Sequence, residues 1–332
     1  MTSTSTILIA GAGQLGSRYL QGLAACTTNL RIFVHDPDSS ALAVAISRWD
    51  AVGGAETGHV VSAHDDLVGI PRSLDLTIVA TTASVRPMVV EQIADHATVR
   101  MWILEKVLAQ SDDGLERIRG AISAGSAAWV NTWARATPWY HRTRGNHAQG
   151  PVQFEVLGGS WGLACNAIHF LDLIAWWTGE ALVGVDAAGL DEAWLIGRRP
   201  GNLEVSGSLA ATYTGGTTGR LYAAPPQAEE LPAGGSNPDL LRISGEASTW
   251  TFVEPFTSET GLATSSDGIQ ISGRIEFQSE RTAPLVDCLL GGGASNLTDL
   301  STSIDQHRIF LHAMLEQWRA SGDRLADLVP IT

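Results

Sequence analysis

Short apolar runs alternate with helical periodicity over the first 130 residues. TILIAGAG reads as a buried strand and QLGSRYLQGLAAC as the helix after it. LRIFVHD, the weaker GHVVSAH, LDLTIVATT, VRMWILEK and AAWVNTW read as further strands. RPMVVEQIADH and DDGLERIRGAISAG carry helical spacing between them. Continuous apolar strands alternating with helices predict a parallel sheet covered on both faces.

The pattern changes near residue 145. PVQFEVLGG, ALVGVDAAG, EVSGSLAATYT, TGRLYAA, DLLRISGEA, TWTFVEP and GIQISGRIEFQ are strand-like runs parted by Gly, Pro, Asn and Ser turns. Two helices interrupt them, GLACNAIHFLDLIAWW and the terminal STSIDQHRIFLHAMLEQWRASG, while residues 225–238 read as a Pro/Gly loop. The expectation is an α/β first domain over residues 1–128. An α+β second domain with a mostly antiparallel sheet follows over 129–332.

Composition narrows the function. With 332 residues, 44% hydrophobic and 17% charged, the chain can fill two cores. A net charge of -14 argues against nucleic acid and against anionic lipid surfaces as partners. No apolar stretch approaches a membrane span, and the N-terminus lacks the basic segment of a signal peptide. Three widely spaced cysteines, Cys26, Cys165 and Cys288, suggest no disulfide framework and a cytoplasmic setting.

The sharpest motif is Gly11-Ala12-Gly13-Gln14-Leu15-Gly16, between a strand and a helix. Gly11 suits the tight turn, Gly13 the approach of a pyrophosphate, and Gly16 close helix–sheet packing. Gln14 and Leu15 would open the helix whose N-terminus favours an anion. Asp36, about 20 residues on at the end of the second strand, has the placing of a carboxylate that grips adenosine ribose hydroxyls. It would repel a 2′-phosphate, so NAD is expected over NADP. A doubly wound Rossmann domain follows from this order of elements.

Chemistry-bearing residues cluster at three further places. Glu105 and Lys106 end the fifth strand, where ligands bind in open α/β sheets, and Glu105 is read as either an ion-pair partner or a cofactor contact. Cys165, His169 and Asp172 lie at i, i+4 and i+7 on one helix face. His169 suits general acid/base work with Asp172 beside it. Cys165 and Asn166 are candidates for substrate contact, although Asn166 points from another face. A core histidine, a metal site or a Cys–His nucleophile pair are alternatives, and the metal reading lacks familiar ligand spacing. Residues 133–144 gather Trp133, Arg135, Tyr140 and further arginines, a combination able to hold an anionic sugar or to form a solvated linker. His307 is expected on a helix surface.

In combination, GAGQLG, LTIVATTASVRP, ILEKVLAQ and ACNAIHFLD resemble the Gfo/Idh/MocA oxidoreductases (glucose-fructose oxidoreductase and inositol dehydrogenase relatives) across both domains. The resemblance implies that Thr81 and Thr82 belong to a cofactor loop, together with Glu105 and Lys106. It implies hydride transfer from a secondary alcohol of a sugar, sugar acid or nucleotide-linked sugar to nicotinamide. His169 would act as acid/base and Lys106 would orient the hydroxyl. It also implies a homodimer or homotetramer through the open second-domain sheet. Two positions depart from the family: Val107 replaces a proline, and Cys165 replaces an aspartate. A regulator that binds NAD without turnover, and a non-redox sugar enzyme using NAD transiently, are the alternatives.

Overall fold

The computed structural model describes residues 4–145, 150–226, 239–253, 260–322 and 326–332. The chain forms two compact units. The first comprises Met1–Ala109, Asp113–Asn131 and Glu276–Ser301, and the second Gln110–Asp112, Thr132–Ile275 and Thr302–Thr332.

The first unit is built as β1 (Ser5–Ala10), α1 (Gln14–Leu23), β2 (Leu30–His35), α2 (Ser39–Asp50), β3 (Val60–His64), β4 (Ser73–Val79), α3 (Arg86–His96), β5 (Thr98–Glu105), α4 (Asp112–Ala121) and β6 (Ala127–Asn131). Its strands pair in the order β6-β5-β4-β1-β2-β3, all parallel. Ile7, Leu8, Ile9 and Ala10 are buried consecutively, which requires cover on both faces and explains the unbroken apolar run. The strand order reverses at β1 and β4, so the loop after β1 opens at the switch point where such sheets bind ligands.

The second unit continues with α5 (Pro138–Arg144), β7 (Gln153–Gly158), α6 (Leu163–Thr178), β8 (Leu182–Ile196), β9 (Leu203–Tyr213), β10 (Thr218–Ala223), β11 (Leu240–Ser244), β12 (Thr249–Val253), β13 (Gly261–Ser265) and β14 (Gln270–Gly273). The eight strands run β14-β13-β12-β11-β7-β10-β9-β8, antiparallel except for the parallel β7–β10 pair. Cross-strand register aligns Tyr222, Leu157, Leu240, Val253 and Leu262 in one row. Beside it runs the charged ladder Arg220–Glu155–Arg242.

The chain then returns to the first unit. α7 (Gln278–Leu290) packs on α1, and β15 (Thr298–Asp299) adds antiparallel to β6, before α8 (Leu300–Ala320). Unlike a division at 128/129, this division is discontinuous. Gly22 explains the docking: a Cβ there would strike the Ser279 carbonyl and Thr282 of α7. Asp287 then fastens the helix by accepting from Thr27 N and Oγ1 at 2.8 Å and from Thr28 N at 3.1 Å.

GIQISGRIEFQ is a strand only over Gln270–Gly273. The apolar pattern does not announce α2, α5 or α7. α7 carries Pro284 in its interior, a residue that argues against a helix there. Most of the 225–238 loop lies outside the described residues. Among the described residues no helix is long and apolar enough to cross a membrane.

Candidate functional site

The first unit holds a cavity of about 930 Å³ at the C-terminal ends of β1, β2 and β4. Gly11, Gly13, Asp36, Thr81 and Thr82 line it, with Val85, Met88, Val89 and Gln92 from α3 and its approach. Gly11 adopts φ +96°, a conformation that L side chains rarely adopt. A Cβ on Gly16 would collide with the Gly11 carbonyl, so the helix can start close to the turn only without a side chain. A Cβ on Gly13 would meet nothing within 4 Å, leaving the backbone open to a ligand.

Three further features fit a dinucleotide. α1 has no side-chain cap and no acid in its first turn, so its exposed N–H groups and dipole favour an anion. The Thr81 hydroxyl is buried and has no hydrogen-bond partner in the protein. Asp36 Oδ2 accepts from Ala12 N at 2.7 Å and Oδ1 from Asp38 N at 2.9 Å, which locks the carboxylate beside the glycine loop with acceptor capacity left. Asp65, Asp66 and Asp95 join it in the lining, which includes no lysine or arginine.

Glu105 faces inward. It is 3% exposed and takes the Tyr19 hydroxyl at 2.5 Å and Asn131 Nδ2 at 2.6 Å. Asn131 reaches on to Gln278 Oε1 at 2.9 Å, which also accepts from Arg281. Burial, reinforced by the Glu105 charge, pushes the Tyr19 phenol well above its ordinary range and keeps it a donor. Glu105 therefore belongs to a buried network spanning α1, β5, β6 and α7. The Lys106–Val107 peptide is cis, and Val107, Leu108 and Ala109 beyond it are buried.

The second unit places the histidine helix. α6 runs between two left-handed glycines, Gly162 and Gly179, and is buried along most of its length. His169 is 1% exposed, with its ring 4.7 Å from that of Trp133. Asp172 is fully buried; it accepts from Thr132 Oγ1 at 2.7 Å, and Arg135 Nη1 stands 3.7 Å from its other oxygen. Trp133, Arg135, His169 and Asp172 thus come together. Cys165 donates its thiol to the Thr332 backbone oxygen at 2.5 Å, and Asn166 Nδ2 donates to the Trp161 carbonyl at 2.9 Å. Glu204 accepts from Ala164 N at 2.9 Å and so caps the helix.

Two expectations are corrected. Tyr140 is not at a surface for substrate: it is fully buried, its ring centroid 5.1 Å from that of Phe252, and its hydroxyl has no partner. α5 turns that side inward, while Arg144 lies over Trp176 at 4.8 Å. His307 is also fully buried, with Nδ1 2.7 Å from the Ser303 carbonyl. The sequence reading missed Tyr19, Asn131, Arg281, Thr132, Glu204 and Arg86. Among them only Arg86, a cation opening a largely apolar helix, carried a local signal. Among the described residues no group of three or more His, Cys, Asp or Glu side chains is placed to hold a metal ion.

No protein-family model matches the sequence, and no curated protein does. Solved structures do share the fold. Scyllo-inositol dehydrogenase from Lactobacillus casei, with bound NAD(H) and scyllo-inositol, aligns at TM-score 0.65 and 16% identity, over 95% of this chain and 97% of that one. UDP-N-acetylglucosamine 3-dehydrogenase from Acidithiobacillus ferrooxidans aligns at 0.67 and 14%, over 94% and 97%. A super-repressor mutant of Gal80p from Saccharomyces cerevisiae aligns at 0.70 and 13%, over 96% and 97%. The fold is that of the Gfo/Idh/MocA oxidoreductases, a parallel Rossmann sheet followed by a mostly antiparallel eight-stranded sheet.

Proposed function

We propose that this protein is an NAD-dependent oxidoreductase acting on a secondary alcohol of a sugar, sugar acid or nucleotide-linked sugar. The carrying observation is the cavity at the glycine loop. Its backbone is open at Gly13, the helix behind it is uncapped, and the Thr81 hydroxyl is unspent. Gly11, Gly13, Gln14, Leu15 and Gly16 would hold the pyrophosphate, Asp36 the adenosine ribose, and Thr81, Thr82 and Lys106 the nicotinamide end. Four aspartates and no lysine or arginine in the lining favour NAD over NADP, since a 2′-phosphate would meet a predominantly negative lining there. Solved structures of this fold hold NAD(H) in one case and NADP+ in another, so they support a nicotinamide cofactor and leave the choice of NAD to the lining.

A nicotinamide held there would supply the acceptor for the hydride leaving the alcohol carbon. His169 takes the hydroxyl proton on a ring nitrogen, and Lys106 places a cation at the oxygen where negative charge develops. Asp172, held by Thr132 and Arg135, sets the charge beside the imidazole. Arg135, with its side chain 22% exposed, would present its guanidinium charge to an acidic substrate group. The row of Tyr222, Leu157, Leu240, Val253 and Leu262 supports association through the second sheet into a homodimer or homotetramer. A strictly monomeric mass in solution would remove that part.

A panel of polyols, aldonic acids and nucleotide sugars, read at the nicotinamide absorbance band, tests the reading. Turnover in wild type and its loss in His169→Asn are expected; full turnover in that variant would sink the mechanism. A second reading rests on Cys165, whose thiol is occupied by Thr332. It is an NAD-binding regulator, and the Gal80p likeness supports it. Saturable NADH binding without turnover of any panel member selects it.

A further inference from the structure

Arg86 is 1% exposed although it carries a permanent charge and opens α3. One arm of its guanidinium, Nη2, donates to the Thr81 carbonyl, at the loop that lines the cavity. The other arm, Nη1, donates to the Val107 carbonyl and, at 3.2 Å, to that of Leu108, in the segment directly after Lys106. The planar fork therefore ties the end of β4 to the end of β5. A lysine ammonium, a single point on a flexible stem, cannot reproduce a two-armed bridge. On its other side the Thr81 loop is pressed against the glycine loop: a Cβ on Gly11 would lie 3.1 Å from the Thr81 nitrogen and from the Ala80 carbonyl carbon. The contacts run without a break from Gly11 through Thr81 and Arg86 to Val107 and Leu108.

We infer that Arg86 is a positioning residue that couples occupancy of the cofactor cavity to the placement of Lys106. This rests on the NAD reading above. Arg86 is not in the cavity lining, nor are Val107, Leu108 and Ala109, so the coupling acts through the backbone carbonyls that Arg86 holds. A ligand that orders the Thr81 loop thereby orders the segment carrying Lys106.

NADH titration followed by nicotinamide fluorescence, paired with amide hydrogen exchange, tests this on the full chain. In wild type, saturating NADH slows exchange at residues 107–109. Arg86→Ala weakens NADH by about tenfold and loses that slowing. Guanidinium ion at tens of millimolar partly restores both, and Arg86→Lys does not. Should Arg86→Ala fail to fold, Arg86→Lys and the wild-type exchange carry the test. The inference is overturned if either folded variant binds NADH within twofold of wild type with the same exchange response. Unchanged exchange at 107–109 in NADH-saturated wild type overturns it as well. In both cases the NAD reading stands. Wild type that binds no NADH overturns the NAD reading and this inference together.

Discussion

The glycine loop and the helix α6 handle polar chemistry in opposite ways. At the glycine loop the backbone acts: donors at an uncapped helix end, an open approach at Gly13, and one carboxylate, Asp36, fixed by two backbone N–H groups. At α6 the side chains act, and most are already engaged by distant parts of the chain. Asp172 is held by Thr132 and Arg135, Cys165 by Thr332, and the helix end by Glu204. The first region is shaped for a ligand that brings its own charge. The second is a pre-set arrangement whose charges are balanced before a substrate arrives.

That contrast predicts different failures. Asp172→Ala should have the largest effect on stability. It removes a fully buried carboxylate that accepts from Thr132 and faces the Arg135 guanidinium, a loss of about 3 kcal/mol by urea denaturation. Asp172→Asn, which still accepts from Thr132, should lose clearly less. A loss equal to that of Asp172→Ala would mean that charge alone matters there.

The glycines separate fold from binding. Gly16→Val collides with the Gly11 carbonyl and should cost about 2 kcal/mol along with NADH binding. Gly13→Ala meets no protein atom within 4 Å, so its stability should stay within about 0.5 kcal/mol of wild type. Its NADH affinity should nevertheless fall by about tenfold, which is about 1.4 kcal/mol of binding. Equal NADH affinity for Gly13→Ala and wild type would remove the pyrophosphate from that spot.

Asp36→Ser is the next smaller effect. It should weaken NADH several-fold while moving NADPH closer to NADH, measured as the ratio of the two dissociation constants. A ratio unchanged from wild type would place the adenosine ribose elsewhere.

The smallest effect is pH dependence at Asp287. Burial works to raise its carboxyl, but hydrogen bonds from Thr27 and Thr28 outweigh it and hold the group below the ordinary carboxylate range. A depressed folded value stabilises the fold above the unfolded value and ceases to do so as pH falls through the folded one. Asp287→Ala should therefore melt below wild type at neutral pH, and the gap should close in acid below about pH 4. A gap constant with pH would show that the clamp does not depend on charge.

The same contrast explains what the sequence disclosed. GAGQLG and Asp36 are short-range: turn, helix, second strand and acid follow one another within the 26 residues from Gly11 to Asp36, and their physics is backbone geometry. Alternating apolar runs likewise announced nearly every strand and the order of the parallel sheet's elements. α7 was hidden by Pro284 and by a weakly apolar composition; its place is set by Gly22 in a helix some 260 residues earlier. Tyr140 read as a substrate contact and His307 as a surface group because nothing local shows that α5 and α8 turn them inward. Spacing on α6 put His169 and Asp172 on one face. It did not disclose that Asp172 is shared with Thr132 and Arg135, or that Glu105 pairs with Tyr19 and Asn131. Such partners are 26 to 86 residues apart in sequence.

The central claim is that the cavity at the end of β1 is built for NAD. Titration of the purified protein with NADH, followed by the blue shift and enhancement of nicotinamide fluorescence, tests it most directly. Saturable binding at micromolar concentrations in wild type, weakened in the stably folded Gly13→Ala variant, is the predicted result. The absence of a saturable signal up to millimolar NADH, or identical curves for the two proteins, would contradict it.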